Sequence, residues 1–153
     1  MAVRKGHIAL VKYAIEEGVD VHQITCGLKS ALHISSRYGL VELSELFLDA
    51  NIPVDLQTNR GWTALHFASR CGSLPLVKLL ISRGASMACS TFTGRYPLHI
   101  SAFNGHFDVT KFFVENGADI SKVDHDGKTA LDLARDLRES DIVTLLKFSS
   151  FGF

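Results

Sequence analysis

Histidine and cysteine have the most to offer chemically in this chain, and three of its seven histidines, His33, His66 and His99, are set 33 residues apart. Imidazoles ligate zinc or carry protons, and thiols ligate metal or act as nucleophiles. The three cysteines, Cys26, Cys71 and Cys89, form no Cys-x-x-Cys pair and have no histidine pair of zinc-finger form nearby. Cys71 is the best placed as a nucleophile. No histidine or acid shares its neighbourhood in the 33-residue register, so the base that nucleophilic catalysis needs is missing. Neither GxxxxGK nor GxGxxG occurs to cradle a phosphate. We expect no enzyme, no cofactor and no metal site.

Other residues share the histidine spacing. Leu32, Leu65, Leu98 and Leu131 keep the same step, as do Gly6, Gly39, Gly72 and Gly105. Around the histidines the chain reads Ser30-Ala31-Leu32-His33-Ile34-Ser35, Thr63-Ala64-Leu65-His66-Phe67-Ala68 and Tyr96-Pro97-Leu98-His99-Ile100-Ser101. A degraded copy follows at Thr129-Ala130-Leu131-Asp132-Leu133-Ala134. These segments resemble the T-P-L-H-x-A signature of ankyrin repeats, and the step resembles that family's period. Gly84-Ala85-Ser86, Gly117-Ala118-Asp119 and Gly18-Val19-Asp20 look like its closing turn.

The resemblance covers essentially the whole chain. It implies an all-α ankyrin-repeat solenoid of stacked helix-turn-helix units with short β-hairpin fingers, in which each imidazole hydrogen-bonds backbone near the neighbouring finger. The register divides a single array into a truncated first repeat (1–24), three full repeats (25–57, 58–90 and 91–123) and a C-terminal capping repeat with tail (124–153). The short opening repeat reads as a piece of a larger protein.

The elements can also be read from the residues alone. Ala64 to about Cys71 is a short helix, Gly72 breaks it, and Leu74 to Ser82 is a second helix that tolerates Pro75 in its first turn. Gly84 supplies a left-handed cap. Helices this short fall below the ~12–15 residues needed for marginal stability alone in water, so neighbours must hold them. Apolar pairs in register, including Phe47/Leu48, Leu79/Leu80 and Phe112/Phe113, would form that stacked core.

Stacked repeats lie ~10 Å apart, whereas two ligands of one zinc ion lie ~3–4 Å apart, so the three histidines cannot share a metal. Leu28 stands where Gly61, Gly94 and Gly127 stand in later fingers, and we expect the first finger to be distorted or looser. Asp132 and Arg138 replace a histidine and a glycine, as suits a terminal cap. The aromatic tail from Lys147 to Phe153 either folds back on that cap or leads elsewhere.

The surface that resembles the family's binding face comprises the finger tips and the exposed ends of the first helices. In this chain that face holds 22 residues, of which eight are Lys or Arg and two are acidic, although the whole chain carries sixteen of each sign. Arg4, Arg37 and Arg70 form a column at the repeat step, with Lys5 beside it. We expect partner contacts at Arg37, Tyr38, Arg60, Trp62, Arg70, Phe92, Arg95, Phe103 and Asn104, with Trp62, Phe92 and Phe103 exposed. Arg and aromatic residues dominate interface hot spots. The expected partner is another protein or peptide, acidic and carrying apolar anchors, bound by a monomer.

Composition limits the alternatives. Formal charge is zero, with sixteen basic and sixteen acidic residues, so no global field recommends nucleic acid or an anionic membrane. The same basic face would still allow either, and the array would also serve as an intramolecular cover over an enzyme domain. No apolar run is long enough to span a bilayer, and the odd number of cysteines suits a reducing compartment. Cytoplasm or nucleus is therefore expected.

Overall fold

A computed structural model describes residues 2–150, with side chains described from residue 8 onward. Arg4 and Lys5, expected on the basic face, lie outside the described side chains, and Phe151 to Phe153 of the aromatic tail lie outside the described residues.

The described chain is all-helical: α1 (Ala2–Glu16), α2 (Ala31–Arg37), α3 (Val41–Asp49), α4 (Ala64–Cys71), α5 (Leu74–Ser82), α6 (Pro97–Phe103), α7 (Phe107–Glu115), α8 (Ala130–Asp136) and α9 (Ser140–Ser150). First helices begin at the 33-residue step, at Ala31, Ala64, Pro97 and Ala130. They pack in one row, α2 on α4 on α6 on α8, while α1, α3, α5, α7 and α9 form a second row behind it. α1 is one unbroken helix through Gly6, where later repeats turn back at glycine.

The core is a stripe between the rows. Leu65, Ala68, Leu76, Val77, Leu80 and Phe113 are fully buried, and Leu32, Leu98, Val109, Ile142 and Leu146 continue the stripe at the repeat step. Within two of the helical pairs, hydroxyls replace methyl contacts: Ser35 Oγ lies 2.7 Å from Ser44 Oγ, and Thr110 Oγ1 donates to Ser101 Oγ at 3.0 Å. In the pair between them the same register positions carry Ala68 and Val77, both buried.

The expected β-hairpin fingers are replaced by tight turns, and no strand occurs among the described residues. In the second finger the Thr58 N–H donates to the Trp62 carbonyl at 2.9 Å and the Gly61 N–H returns to the Thr58 carbonyl at 2.9 Å. The turn satisfies its own backbone locally. Each tip then reaches the next by a single backbone bond, from Asn59 N–H to Gly27 O at 3.2 Å, from Phe92 N–H to Arg60 O at 3.0 Å and from His125 N–H to Thr93 O at 3.1 Å. One bond per tip does not make a ladder.

The first finger is not distorted as expected. It keeps the same two closing bonds, Thr25 N–H to Lys29 O at 3.0 Å and Leu28 N–H to Thr25 O at 2.8 Å, with Leu28 held at φ 54°. The turn geometry wins, and a left-handed Leu carries the strain. Asn51 and Arg138 likewise sit at φ 63° and 60° where other repeats have glycine. At Gly61 the glycine is needed twice over, since φ is +74° and a Cβ there would lie 2.7 Å from the Phe92 ring.

Candidate functional site

The three repeated imidazoles position the fingers. His66 Nδ1 accepts from the Thr63 N–H at 3.1 Å and lies 2.8 Å from Thr63 Oγ1, which fixes the start of α4. Its Nε2 faces the Arg95 carbonyl at 3.1 Å. A carbonyl only accepts, so Nε2 carries the proton and the ring is neutral. His33 repeats this from Ser30 to the Leu56 carbonyl, and His99 from Tyr96 to the carbonyls of Lys122 and Lys128. This is the backbone role that the family resemblance implied. Burial pushes the His66 pKa down to about 4, and it lowers His33 and His99 as well.

In the last repeat Asp132 keeps half of this arrangement. Its Oδ2 accepts from Thr129 N–H at 3.1 Å and Thr129 Oγ1 at 2.7 Å, reproducing the helix cap. A carboxylate has no proton to donate onward.

The turns present the groove residues. Thr58 Oγ1 accepts from the Trp62 N–H at 3.1 Å, Thr91 Oγ1 accepts from the Arg95 N–H at 3.2 Å, and Asp124 Oδ1 accepts from the Lys128 N–H at 3.0 Å. Between these turns and the first helices run two adjoining depressions. One, of about 350 Å³, is lined in part by Lys29, Arg37, Arg60 and Arg70. The other, of about 550 Å³, is lined in part by Arg60, Trp62, Arg70, Phe92, Arg95, Ile100, Phe103 and Asn104. Asn59, Arg60, Trp62 and Arg70 belong to both walls.

Eight of the nine expected contact residues are thus brought to one groove. Tyr38 is not: it is exposed outside both depressions, with the Arg37 guanidinium 5.7 Å from its ring centroid. Trp62, expected to be exposed, is instead half-buried, its ring 5.0 Å from Phe67 and 5.9 Å from His66. The indole packs down because the turn closes onto the start of α4. Phe92 is 64% exposed and Phe103 37% exposed. Asn104 donates through Nδ2 to the Ile100 carbonyl at 2.7 Å, so its amide is already engaged on its own helix.

The groove's charge is uneven, which the sequence reading missed. Arg95 Nε donates to the buried Asp124 carboxylate at 3.3 Å, and Lys128 pairs with Asp136. Burial pulls the Asp124 pKa up, but the N–H groups of Lys128 and Asp126 together with Arg95 outweigh it and hold the carboxyl below its ordinary value. Lys29, Arg37, Arg60 and Arg70 make no ion pair among the described residues. Asp124 stands in register with the turn threonines Thr25, Thr58 and Thr91, and that departure was the available signal.

A second residue missed from sequence is His106, whose Nε2 donates to the Arg70 carbonyl at 2.9 Å. It caps the end of α4 from the next repeat. Its register mates Leu40, Ser73 and Glu139 share no chemistry with it, so repetition gave no hint.

Among the described residues no group of three or more His, Cys, Asp or Glu is placed to hold a metal. No helix there is long and apolar enough to cross a membrane.

The family model for ankyrin repeats (3 copies) matches residues 1–91 and 84–151, and the chain belongs to that family. Domains of this kind are typically non-catalytic and generally mediate protein–protein interaction. A search of curated proteins found no match.

Proposed function

We propose that this array holds a protein partner in the groove between its turns and first helices, gripping an acidic segment that carries apolar anchors. The supporting observation is the convergence there of Arg37, Arg60 and Arg70 with Trp62, Phe92 and Phe103 in a chain whose net charge is zero. Charge accelerates encounter, and buried aromatic contact slows departure.

Arg70 is held by a ring rather than by a carboxylate, whereas Arg95 is held by both. The Arg70 guanidinium lies 5.9 Å from the Trp62 ring centroid, and that of Arg95 lies 5.2 Å from Phe103. A cation over a ring keeps its N–H donors for a ligand. The array acts as a monomer presenting this rigid surface. An intracellular setting is part of the same proposal, supported by three free thiols, two of them exposed at Cys26 and Cys71.

A panel of peptides of equal length and varied charge tests the reading. Acidic members with an aromatic residue should bind, and Arg37→Glu with Arg70→Glu should abolish that binding. Equal binding of acidic and basic members would refute it.

A further inference from the structure

The smaller depression has a composition that a plain acidic peptide does not exhaust. Lys29, Arg37, Arg60 and Arg70 bring four positive charges to a space of about 350 Å³, and none of the residues lining it is acidic. Carboxylates answer the cations elsewhere along the turns, at Arg95 and Lys128, but not here. A side-chain carboxylate brings one negative charge and two oxygens, whereas a phosphorylated side chain brings about two charges and three strong acceptors. Three guanidinium forks match phosphate oxygens in geometry as well as charge.

The neighbouring depression adds a second requirement. It shares the wall made by Trp62 and Arg70 and opens onto Phe92 and Phe103 of the following repeat. Adjacent repeats are offset by ~10 Å, and an extended chain advances ~3.3–3.6 Å per residue. Two side chains about three positions apart on one extended segment would therefore reach both places.

We infer that the array recognises a phosphorylated residue of a partner protein at Lys29, Arg37, Arg60 and Arg70, with a large apolar residue about three positions away seated against Phe92 and Phe103. This rests on the groove being the partner site, and it names what the partner must carry.

The test is retention of three peptide libraries on the immobilised protein. They are degenerate around a fixed phosphoserine, phosphothreonine or phosphotyrosine, around a fixed glutamate, and around a fixed alanine. The phosphorylated library should be retained about tenfold better than the glutamate one, with aromatic or large aliphatic residues enriched two to four positions from the phosphate. Arg37→Gln combined with Arg60→Gln should weaken both acidic libraries, the phosphorylated one by more, so that the phosphate preference is erased. Both side chains are exposed, so thermal melts should not move. Phe103→Ala should weaken both acidic libraries alike.

Equal retention of phosphate and glutamate libraries overturns this inference and leaves acidic-segment binding standing. Phosphate preference without apolar enrichment overturns the paired spacing. Tighter binding of inositol phosphates, anionic vesicles or DNA than of any peptide overturns it in favour of another anion. Retention of no library overturns both this inference and the function on which it rests.

Discussion

His66 donates its Nε2 proton to the carbonyl of Arg95, 29 residues further on, across 3.1 Å, so the cap of one helix also holds the finger of the next repeat. That bond requires a neutral ring, and the requirement has a sign in pH.

Folded His66 titrates at about 4, and His33 and His99 are also lowered by burial, whereas an unfolded imidazole titrates near 6.5. Above pH 6.5 both states are neutral and stability is complete. As pH falls below 6.5 the unfolded chain takes up protons that the folded one refuses, so stability drops until about pH 4. For His66 alone the loss is on the order of 3 kcal/mol. Urea midpoints at pH 7.5 and 4.5 should differ strongly, and His66→Gln should flatten the difference. A midpoint that does not move over this range would contradict the neutral-ring assignment.

Leu28 and Arg138 occupy left-handed backbone that glycine adopts freely. Leu28→Gly and Arg138→Gly should each raise stability by up to about 1 kcal/mol, read as a higher melting temperature. Gly61→Ala should do the reverse, because its Cβ would lie 2.7 Å from the Phe92 ring.

Ser36 Oγ is buried with no hydrogen-bond partner among the described residues. The equivalent Ser69 donates to the Leu65 carbonyl at 2.7 Å, and Ala102 fills the position in the next repeat. Ser36→Ala should stabilise by about 1 kcal/mol through removing an unmet desolvation cost. Chemical denaturation would show a higher midpoint with unchanged slope.

Trp62→Ala should cost about 2 kcal/mol, less than truncation of a fully buried indole, because the ring rests half-buried on Phe67. Peptide binding should weaken with it. Arg70→Glu should weaken binding alone, its side chain being exposed. Thermal melts alongside peptide titrations separate the two effects.

The helical elements were legible because their causes are local and repeated. Gly72, Pro75 and Leu76 to Leu80 define α4 and α5 by themselves, and the structure places those helices at Ala64–Cys71 and Leu74–Ser82. The groove membership of Arg37 and Arg70 followed from register, since equal steps place like residues side by side. What escaped were contacts that depend on departures from register. The Asp124 carboxylate beneath Arg95 and the His106 ring against Arg70 are each made by one repeat only. The burial of Trp62 escaped for a related reason: its partner Phe67 lies beyond the turn, and only the folded turn brings the rings together. The fingers read as hairpins because polar turn residues look alike whether their bonds close within one turn or pair two strands.

Among the described residues, the three non-glycine residues in left-handed backbone are not evenly spread. Leu28 and Asn51 belong to the first full repeat and Arg138 to the closing one, while every corresponding position between them is glycine. An array of nearest-neighbour contacts disassembles from its weakest links. The repeats that carry this strain should therefore open before those between them, and Trp62, Arg70, Phe92 and Phe103, carried by the intervening repeats, should be the last to lose their arrangement.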